Sequence, residues 1–245
     1  MPAYGLIGKP LSHSFSRDYF LEKFIREGIK DAAFNLYELD NVEAIIPLIN
    51  SIPTLNGLAV TIPYKKSVIP LLSSVHPVAM EIGAVNCIHI RKSEWVGYNT
   101  DAEGFRQTLQ GYIPSSGNAA LVLGTGGASL AVKYVLRYIN IPFLEVSRTP
   151  SGNQLSYKDL DKAILAMHKL VINTTPLGTF PNVDDCPQIP YEHVGPNHYL
   201  YDLVYNPSET LFLKKGKERG ASTINGLRML EIQAEENWKI WNRNV

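Results

Sequence analysis

Cysteine is nearly absent from the chain. Only Cys87 and Cys186 occur, far apart and in no metal-ligand spacing, which argues against a disulfide scaffold and for two partly buried thiols in a reducing compartment. Excess charge of either sign is absent too. Lys plus Arg and Asp plus Glu each number 23, so no net field draws the protein to nucleic acid or to an anionic membrane, and any anion selectivity must be local. Nowhere do about 18 apolar residues run together. The opening Met1-Pro2-Ala3-Tyr4-Gly5-Leu6-Ile7-Gly8 enters a strand-like run without a basic flank or long apolar core, so a soluble cytoplasmic protein is expected. The histidines, among them His13, His193 and His198, read as scattered surface or packing residues, and no metal is expected. No internal repeat or low-complexity tract is present.

What remains is a chain of 245 residues, enough for one large α/β domain or for two smaller ones sharing a cleft. Residues 4–8 read as a buried strand, 16–27 as an amphipathic helix, 34–39 as a strand, 42–49 as a helix and 55–61 as a strand stopped by Pro63, with a short helical stretch near 65–72. That alternation predicts βαβ units on a largely parallel sheet. A strand pair at 84–91 and 94–98 precedes residues 100–110, which open with a capping-type Thr-Asp and continue with helical spacing. The Gly, Pro and Ser-rich stretch 111–118 then leads into a second apolar strand at 119–123. The expected architecture is α/β with two domains: a mostly parallel substrate-binding and catalytic domain over 1–101, completed by an amphipathic C-terminal helix at 226–245, and a Rossmann-like domain over 102–225, with a cleft between them.

The second domain opens with a phosphate-binding signature. Ala120-Leu121-Val122-Leu123 runs into Gly124-Thr125-Gly126-Gly127-Ala128-Ser129 and then into helix-compatible residues 130–139. Glycine is needed where backbone turns tightly and approaches a pyrophosphate, whose charge meets amide groups and the positive end of the helix dipole. The spacing departs from G-x-G-x-x-G, because Gly127 follows Gly126 directly, and an ordinary βα turn is the competing reading. The next strand, 141–146, ends at Ser147-Arg148-Thr149, about two dozen residues after Gly124, where the dinucleotide fold reads the ribose. A guanidinium fork with flanking hydroxyls suits the 2′-phosphate of NADP better than the 2′-hydroxyl of NAD. Glu145 lies near the spacing of a ribose-binding acid and is expected inside the strand instead. Strands at 169–172 and 199–203 deliver the polar loops Asn173-Thr174-Thr175 and Val204-Tyr205-Asn206-Pro207, expected to face the nicotinamide half of the cofactor.

In the first domain, Gly8-Lys9-Pro10-Leu11-Ser12-His13-Ser14-Phe15-Ser16 gathers hydroxyls at a helix start, where they can hold a carboxylate or merely cap the helix. Val60-Thr61-Ile62-Pro63-Tyr64-Lys65 and Asn99-Thr100-Asp101 place a lysine and an aspartate at element ends. With these motifs in this order, the chain resembles the shikimate dehydrogenase family along nearly its whole length. The resemblance implies Lys65 and Asp101 as catalytic residues, and Ser14, Ser16, Thr61, Asn86, Tyr205 and Gln233 as substrate contacts. It also implies Gly124, Gly126, Gly127, Ala128, Ser147, Arg148, Thr149, Asn173 and Thr174 as the NADP site. Four positions depart from the family pattern: Ala59 for Asn, Arg17 for Pro, Ser147 for Asn and Arg228 for Gly. They bear on substrate affinity and ribose contacts more than on the reaction.

The reaction so implied is reversible reduction of 3-dehydroshikimate to shikimate with NADPH, in a monomer or homodimer whose domains close over both ligands about a hinge near Asp101. Hydride arriving at the carbonyl carbon leaves charge on oxygen, so a proton donor must stand within hydrogen-bond reach. Lys65 is that candidate, with Asp101 orienting it. Two rivals are a quinate/shikimate dehydrogenase using NAD and a ligand sensor without turnover. Arg148 speaks against the first, and retention of both Lys65 and Asp101 against the second.

Overall fold

Period-two alternation of apolar side chains on strand β1 (Ala3–Gly8) feeds two separate cores. Ala3 and Ile7 pack with Leu58, Val60, Val85 and Ile88 on one face, while Tyr4 and Leu6 pack with Phe20, Phe34, Ala59 and Cys87 on the other. A strand buried on both faces belongs in the middle of a covered sheet. The computed structural model describes residues 1–11, 14–113 and 119–243. Ser12 and His13 of the serine motif, and 114–118 of the Gly, Pro and Ser-rich stretch, lie outside the described residues. The chain divides into one unit of 1–103 with 231–245 and a second of 104–230.

In the first unit, β1 is followed by α1 (Phe15–Arg26), β2 (Ala33–Glu38), a 3₁₀ turn leading into α2 (Ile45–Ser51), β3 (Leu55–Val60), β4 (Ser74–Val75), α3 (Pro77–Ile82), β5 (Cys87–Arg91) and β6 (Glu94–Tyr98). The sheet order is β2-β1-β3-β5-β6-β4. Strands β2, β1 and β3 are parallel, as the alternation predicts, but β5 pairs antiparallel with both β3 and β6. Only a tight hairpin fits between β5 and β6, and a hairpin forces antiparallel pairing. The helical stretch expected near 65–72 is a run of turns ending in a 3₁₀ segment, Ile69–Leu71, with a proline in its first turn. Pro70 lacks the N–H that a continuing α-helix needs. The strand expected from 84 begins at Cys87, because Val85 and Asn86 bond instead to the Lys65 carbonyl and the Tyr98 carbonyl.

The C-terminal part of α8 (Leu227–Trp241) closes the second core of this unit. Trp241 stacks on Tyr4, with centroids 5.3 Å apart, and donates its indole N–H to the Ile88 carbonyl at 3.0 Å. Its ring takes the space a side chain at Gly57 would need, so β3 requires glycine there. Lys23 ties α1 to the same helix. Its ammonium, almost wholly buried, bonds to Glu235 at 2.8 Å and to Glu27 at 2.7 Å, and the Tyr19 hydroxyl also donates to Glu235.

The second unit holds the rest of α4 (Asp101–Gln110), then β7 (Ala120–Leu123), α5 (Gly127–Tyr138), β8 (Phe143–Ser147), β9 (Leu155–Ser156), α6 (Lys162–Met167), β10 (Leu170–Asn173), β11 (Tyr199–Asp202), α7 (Leu211–Glu218), β12 (Ser222–Ile224) and the start of α8. Its order is β12-β11-β10-β7-β8-β9 with every pairing parallel. The order reverses beside β7, and in open parallel sheets ligands lie at such a switch point, beyond the carboxyl ends of the strands. Buried Leu121, Leu123, Val146, Leu165, Val171, Leu200 and Phe212 form its core.

Candidate active site

Each polar group of the first unit's site is fixed by backbone before its side chain is placed. After β3, Thr61 donates its N–H to the Ile7 carbonyl, and the chain turns so that Tyr64 N–H meets the Thr61 carbonyl at 2.9 Å. Tyr64 anchors that turn from within the core, its hydroxyl donating to the Leu39 carbonyl at 2.6 Å. The Lys65 carbonyl accepts Val85 N–H at 2.7 Å. Asn86 is locked between strands, its N–H on the Tyr98 carbonyl and its carbonyl accepting Val60 N–H. Asn99 caps α4 by accepting Ala102 N–H at 3.2 Å, which leaves Asp101 at the first helical position, where an acid complements the dipole.

On this frame Lys65 Nζ donates to Asp101 Oδ2 at 2.6 Å, with side-chain exposures of only 15% and 9%. Asn86 Nδ2 donates to the other carboxylate oxygen at 2.8 Å. An ammonium carries three N–H donors, so Lys65 can hold Asp101 and still present hydrogen to a ligand oxygen. Gln233, on α8, joins the group through its Oε1, which accepts from Asn86 Nδ2 at 3.3 Å. The structure thus brings together four residues singled out in the sequence: Lys65, Asp101, Asn86 and Gln233.

Two further residues complete the network: Thr100, read in the sequence only as a helix cap, and Asn237, which was not legible there. Thr100 donates its N–H to Asn86 Oδ1 at 2.7 Å, and its hydroxyl bonds to Asn237 Oδ1 at 2.7 Å. Asn237 in turn donates to Gln233 Oε1 at 3.3 Å. Both are buried. The one available signal for Asn237 was its spacing, one helical turn after Gln233 on the same face.

Ser14 is the N-cap of α1 and makes no side-chain capping bond, which leaves its hydroxyl available to a ligand. Ser16 follows in the first helical turn and is half-buried. The loop carrying them is tied to the turn of Thr61 and Lys65, because Lys9 N–H donates to the Ile62 carbonyl at 3.0 Å. Tyr205 belongs to the second unit, half-buried in the loop after β11.

The second unit carries the glycine loop at the carboxyl end of β7. Gly124 has φ +105°, and a Cβ there would lie 2.8 Å from Thr175 Cγ2 and 2.9 Å from Thr174 Oγ1. No other residue suits that position. Around Gly126 nothing stands within 4 Å of where a Cβ would be, and Gly126 caps α5, whose first turn contains Gly127 and Ala128. Open backbone at the start of a twelve-residue helix fits a pyrophosphate. Ser147 ends β8, its hydroxyl accepting Thr149 N–H at 3.2 Å, and Arg148 is exposed beside it.

Glu145 lies in mid-strand, paired with Val122, and bonds to Lys133 at 2.8 Å and to Gln154 at 3.3 Å. It is held away from the strand end where a ribose is read, so the residues fit a 2′-phosphate better than a 2′-hydroxyl. Asn173 and Thr174 use their side chains inside the protein. Asn173 Nδ2 donates to Asp202 Oδ1 at 2.9 Å, and Thr174 Oγ1 donates to the Leu123 carbonyl at 2.7 Å. Their side chains therefore shape the loops facing the glycine turn; Asn173 is fully buried, and Thr174 beside it is only partly so. Burial pushes the Asp202 carboxyl up to about 6, against opposing hydrogen bonds from Thr210, Val204 N–H and Asn173.

Among the described residues, no group of three or more His, Cys, Asp or Glu is arranged to hold a metal ion, and no helix is long and apolar enough to cross a membrane. Residues 6–88 match the family model of the shikimate dehydrogenase substrate binding domain. The chain is 36% identical over 252 residues to the NADP(+) shikimate dehydrogenase of Staphylococcus aureus strain MSSA476, covering 97% of this chain and 91% of that one. Its fold matches the crystal structure of shikimate dehydrogenase 1 from Peptoclostridium difficile with a TM-score of 0.88 at 33% identity, covering 98% and 92% of the two chains. It matches the Thermus thermophilus shikimate 5-dehydrogenase, in complex with NADP(H) and shikimate, with a TM-score of 0.86 at 28% identity over 99% and 94%.

Proposed function

Because the chain belongs to the shikimate dehydrogenase family, we propose that it catalyses the reversible NADPH-dependent reduction of 3-dehydroshikimate to shikimate, a step of aromatic amino acid biosynthesis. The observation that carries this reading is the Lys65–Asp101 pair at 2.6 Å, with Asn86 on the second carboxylate oxygen.

NADPH supplies the hydride when bound. The chain's own residues supply everything else. As the substrate carbonyl carbon gains a hydride, its π electrons pass to oxygen, and a proton must reach that oxygen. Lys65 gives it from an N–H not engaged by Asp101. Asp101 fixes the direction of the ammonium and accepts a neighbouring ring hydroxyl, while Asn86 keeps the carboxylate from rotating. The proton is replaced from solvent, and the sequence runs backwards when shikimate is oxidised. Ser14 and Ser16 hold the substrate carboxylate, and Thr61, Asn86, Gln233 and Tyr205 serve the remaining ring oxygens. A polar site of this kind rejects analogues that leave its buried groups unpaired.

Gly124, Gly126, Gly127 and Ala128 would hold the pyrophosphate, Ser147, Arg148 and Thr149 the 2′-phosphate, and the loop of Asn173 and Thr174 the adjoining part of the cofactor. The compartment we propose is the cytoplasm, in keeping with two free buried cysteines.

The test is the Lys65→Ala variant in steady-state turnover of shikimate with NADP. General acid-base catalysis is worth roughly 10²–10⁴-fold, so kcat should fall by about that much while the KM for NADP holds. A kcat within twofold of wild type would remove Lys65 from the reaction.

A further inference from the structure

We propose that Asn237 is a positioning residue that sets which end of the Gln233 amide faces the substrate. The inference rests on the reading above that Gln233 contacts substrate. It starts from a donor that cannot be reversed, the backbone N–H of Thr100, which bonds to Asn86 Oδ1 at 2.7 Å. With its oxygen so engaged, Asn86 directs Nδ2 to Asp101 Oδ1 at 2.8 Å and to the Thr100 hydroxyl oxygen at 3.0 Å, with Gln233 Oε1 a longer third acceptor at 3.3 Å.

Asn237 then adds the second determinant. It lies one turn after Gln233 on α8 and is 1% exposed. Its Oδ1 accepts the Thr100 hydroxyl at 2.7 Å, and its Nδ2 donates to Gln233 Oε1 at 3.3 Å. The Gln233 carbonyl thus faces two donors: the Asn237 amide, and more weakly the Asn86 amide, which it shares with Asp101 and Thr100. Turning the amide over would set its NH₂ against both of them, donor facing donor. In the arrangement observed, Gln233 Nε2 has no hydrogen-bond partner among the described residues, and it is not an unsatisfied fully buried atom. Gln233 is therefore presented as a hydrogen donor, aimed at an oxygen acceptor of the ring acid. Without Asn237, a single 3.3 Å bond from Asn86 would hold that orientation, and the amide would divide its time between donor and acceptor forms.

The experiment is a double-mutant cycle of Asn237→Leu and Gln233→Ala, read as KM for shikimate, KM for NADP and kcat. The loss of about one hydrogen bond predicts that Asn237→Leu raises the shikimate KM about 3- to 10-fold, with a smaller change in kcat and none in the KM for NADP. In the Gln233→Ala background the same substitution should add nothing, because its effect passes through an amide no longer present. Full additivity would overturn the inference, as would an unchanged shikimate KM in Asn237→Leu when Gln233→Ala raises it. If Gln233→Ala itself leaves the shikimate KM unchanged, the substrate role of Gln233 fails first and the inference falls with it. Should Asn237→Leu not fold, Asn237→Asp enters the same cycle, since it keeps the size and the acceptor for Thr100 but turns the donor into a group that repels Gln233 Oε1.

Discussion

At the residue scale, the distinction between a group that meets ligand and a group that holds another residue separates what could be read in the sequence from what could not. Lys65 stands in the turns that follow β3 and Asp101 at the start of α4, in short motifs whose polar residues have no obvious packing role. Asn237 and Asp202 carry no such mark, because an isolated polar residue in a sequence looks the same whether it will be solvated or buried in a network. Arg148 and Glu145 lie three positions apart, and only strand register decides between them. Glu145 pairs with Val122 and is engaged by Lys133, while Arg148 follows the strand. Arg148→Ala should therefore raise the KM for NADP by roughly 10- to 100-fold, the scale of a lost charge-assisted bond, and leave that for NAD nearly unchanged; equal effects on both cofactors in parallel titrations would remove the arginine from 2′-phosphate recognition. Asp202 gives a prediction in pH. Its folded value, about 6, lies above the ordinary 3.8, so the folded state holds the proton more tightly and stability falls as pH rises from about 4 to about 6. The stability of the wild type minus that of Asp202→Asn, measured by denaturant unfolding, should decline across that window; parallel pH profiles would contradict it.

At the element scale, the glycine turn and the α1–α8 contact carry the clearest consequences. Gly124→Ala forces an L side chain into φ +105° and into Thr174 and Thr175, so it should destabilise the protein by about 1–3 kcal/mol and weaken NADP binding, both visible in thermal unfolding with and without cofactor. Unaltered unfolding with unaltered cofactor shift would mean that the turn does not need glycine. Lys23→Met leaves Glu235 and Tyr19 without their buried cation and should cost about 1–3 kcal/mol. Desolvation pushes the Glu235 carboxyl up, but the bonds from Lys23 and Tyr19 outweigh it and hold the carboxyl below its ordinary 4.5. That contribution is present above pH 4.5 and is lost as pH falls through the folded value, so the gap between wild type and Lys23→Met should narrow in acid. A gap constant with pH would assign the loss to packing alone.

The elements themselves were legible where periodicity was strong, as in β1, α1, β3 and the strand-turn-helix of β7 and α5. They were not where elements are short: β4 has two residues and α3 six, too few for a period to show. The strand pair of β5 and β6 was legible; the antiparallel placement of β5 beside β3 was not, since burial on both faces hides the alternation that marks a half-buried strand.

At the scale of the whole molecule, the residues of the proposed reaction come from far apart in the chain: Lys65, Asn86, Asp101 and Gln233 lie in one unit, and the glycine loop, Arg148 and the β10 loop in the other. Ligands that bind the folded state stabilise what they touch. Shikimate alone should slow amide exchange around 61–65, 86–101 and 231–237, and NADP alone around 124–129, 147–149 and 173–175. Interchanged patterns would contradict the division of roles. Turnover itself is read as absorbance at the NADPH band with the purified protein, offering shikimate or quinate with NADP or NAD. Rapid reduction of NADP with shikimate is expected, with far slower turnover in the other pairings. Preference for NAD would contradict the reading of Arg148, and no turnover in any pairing would contradict the assignment of Lys65 and Asp101 to catalysis.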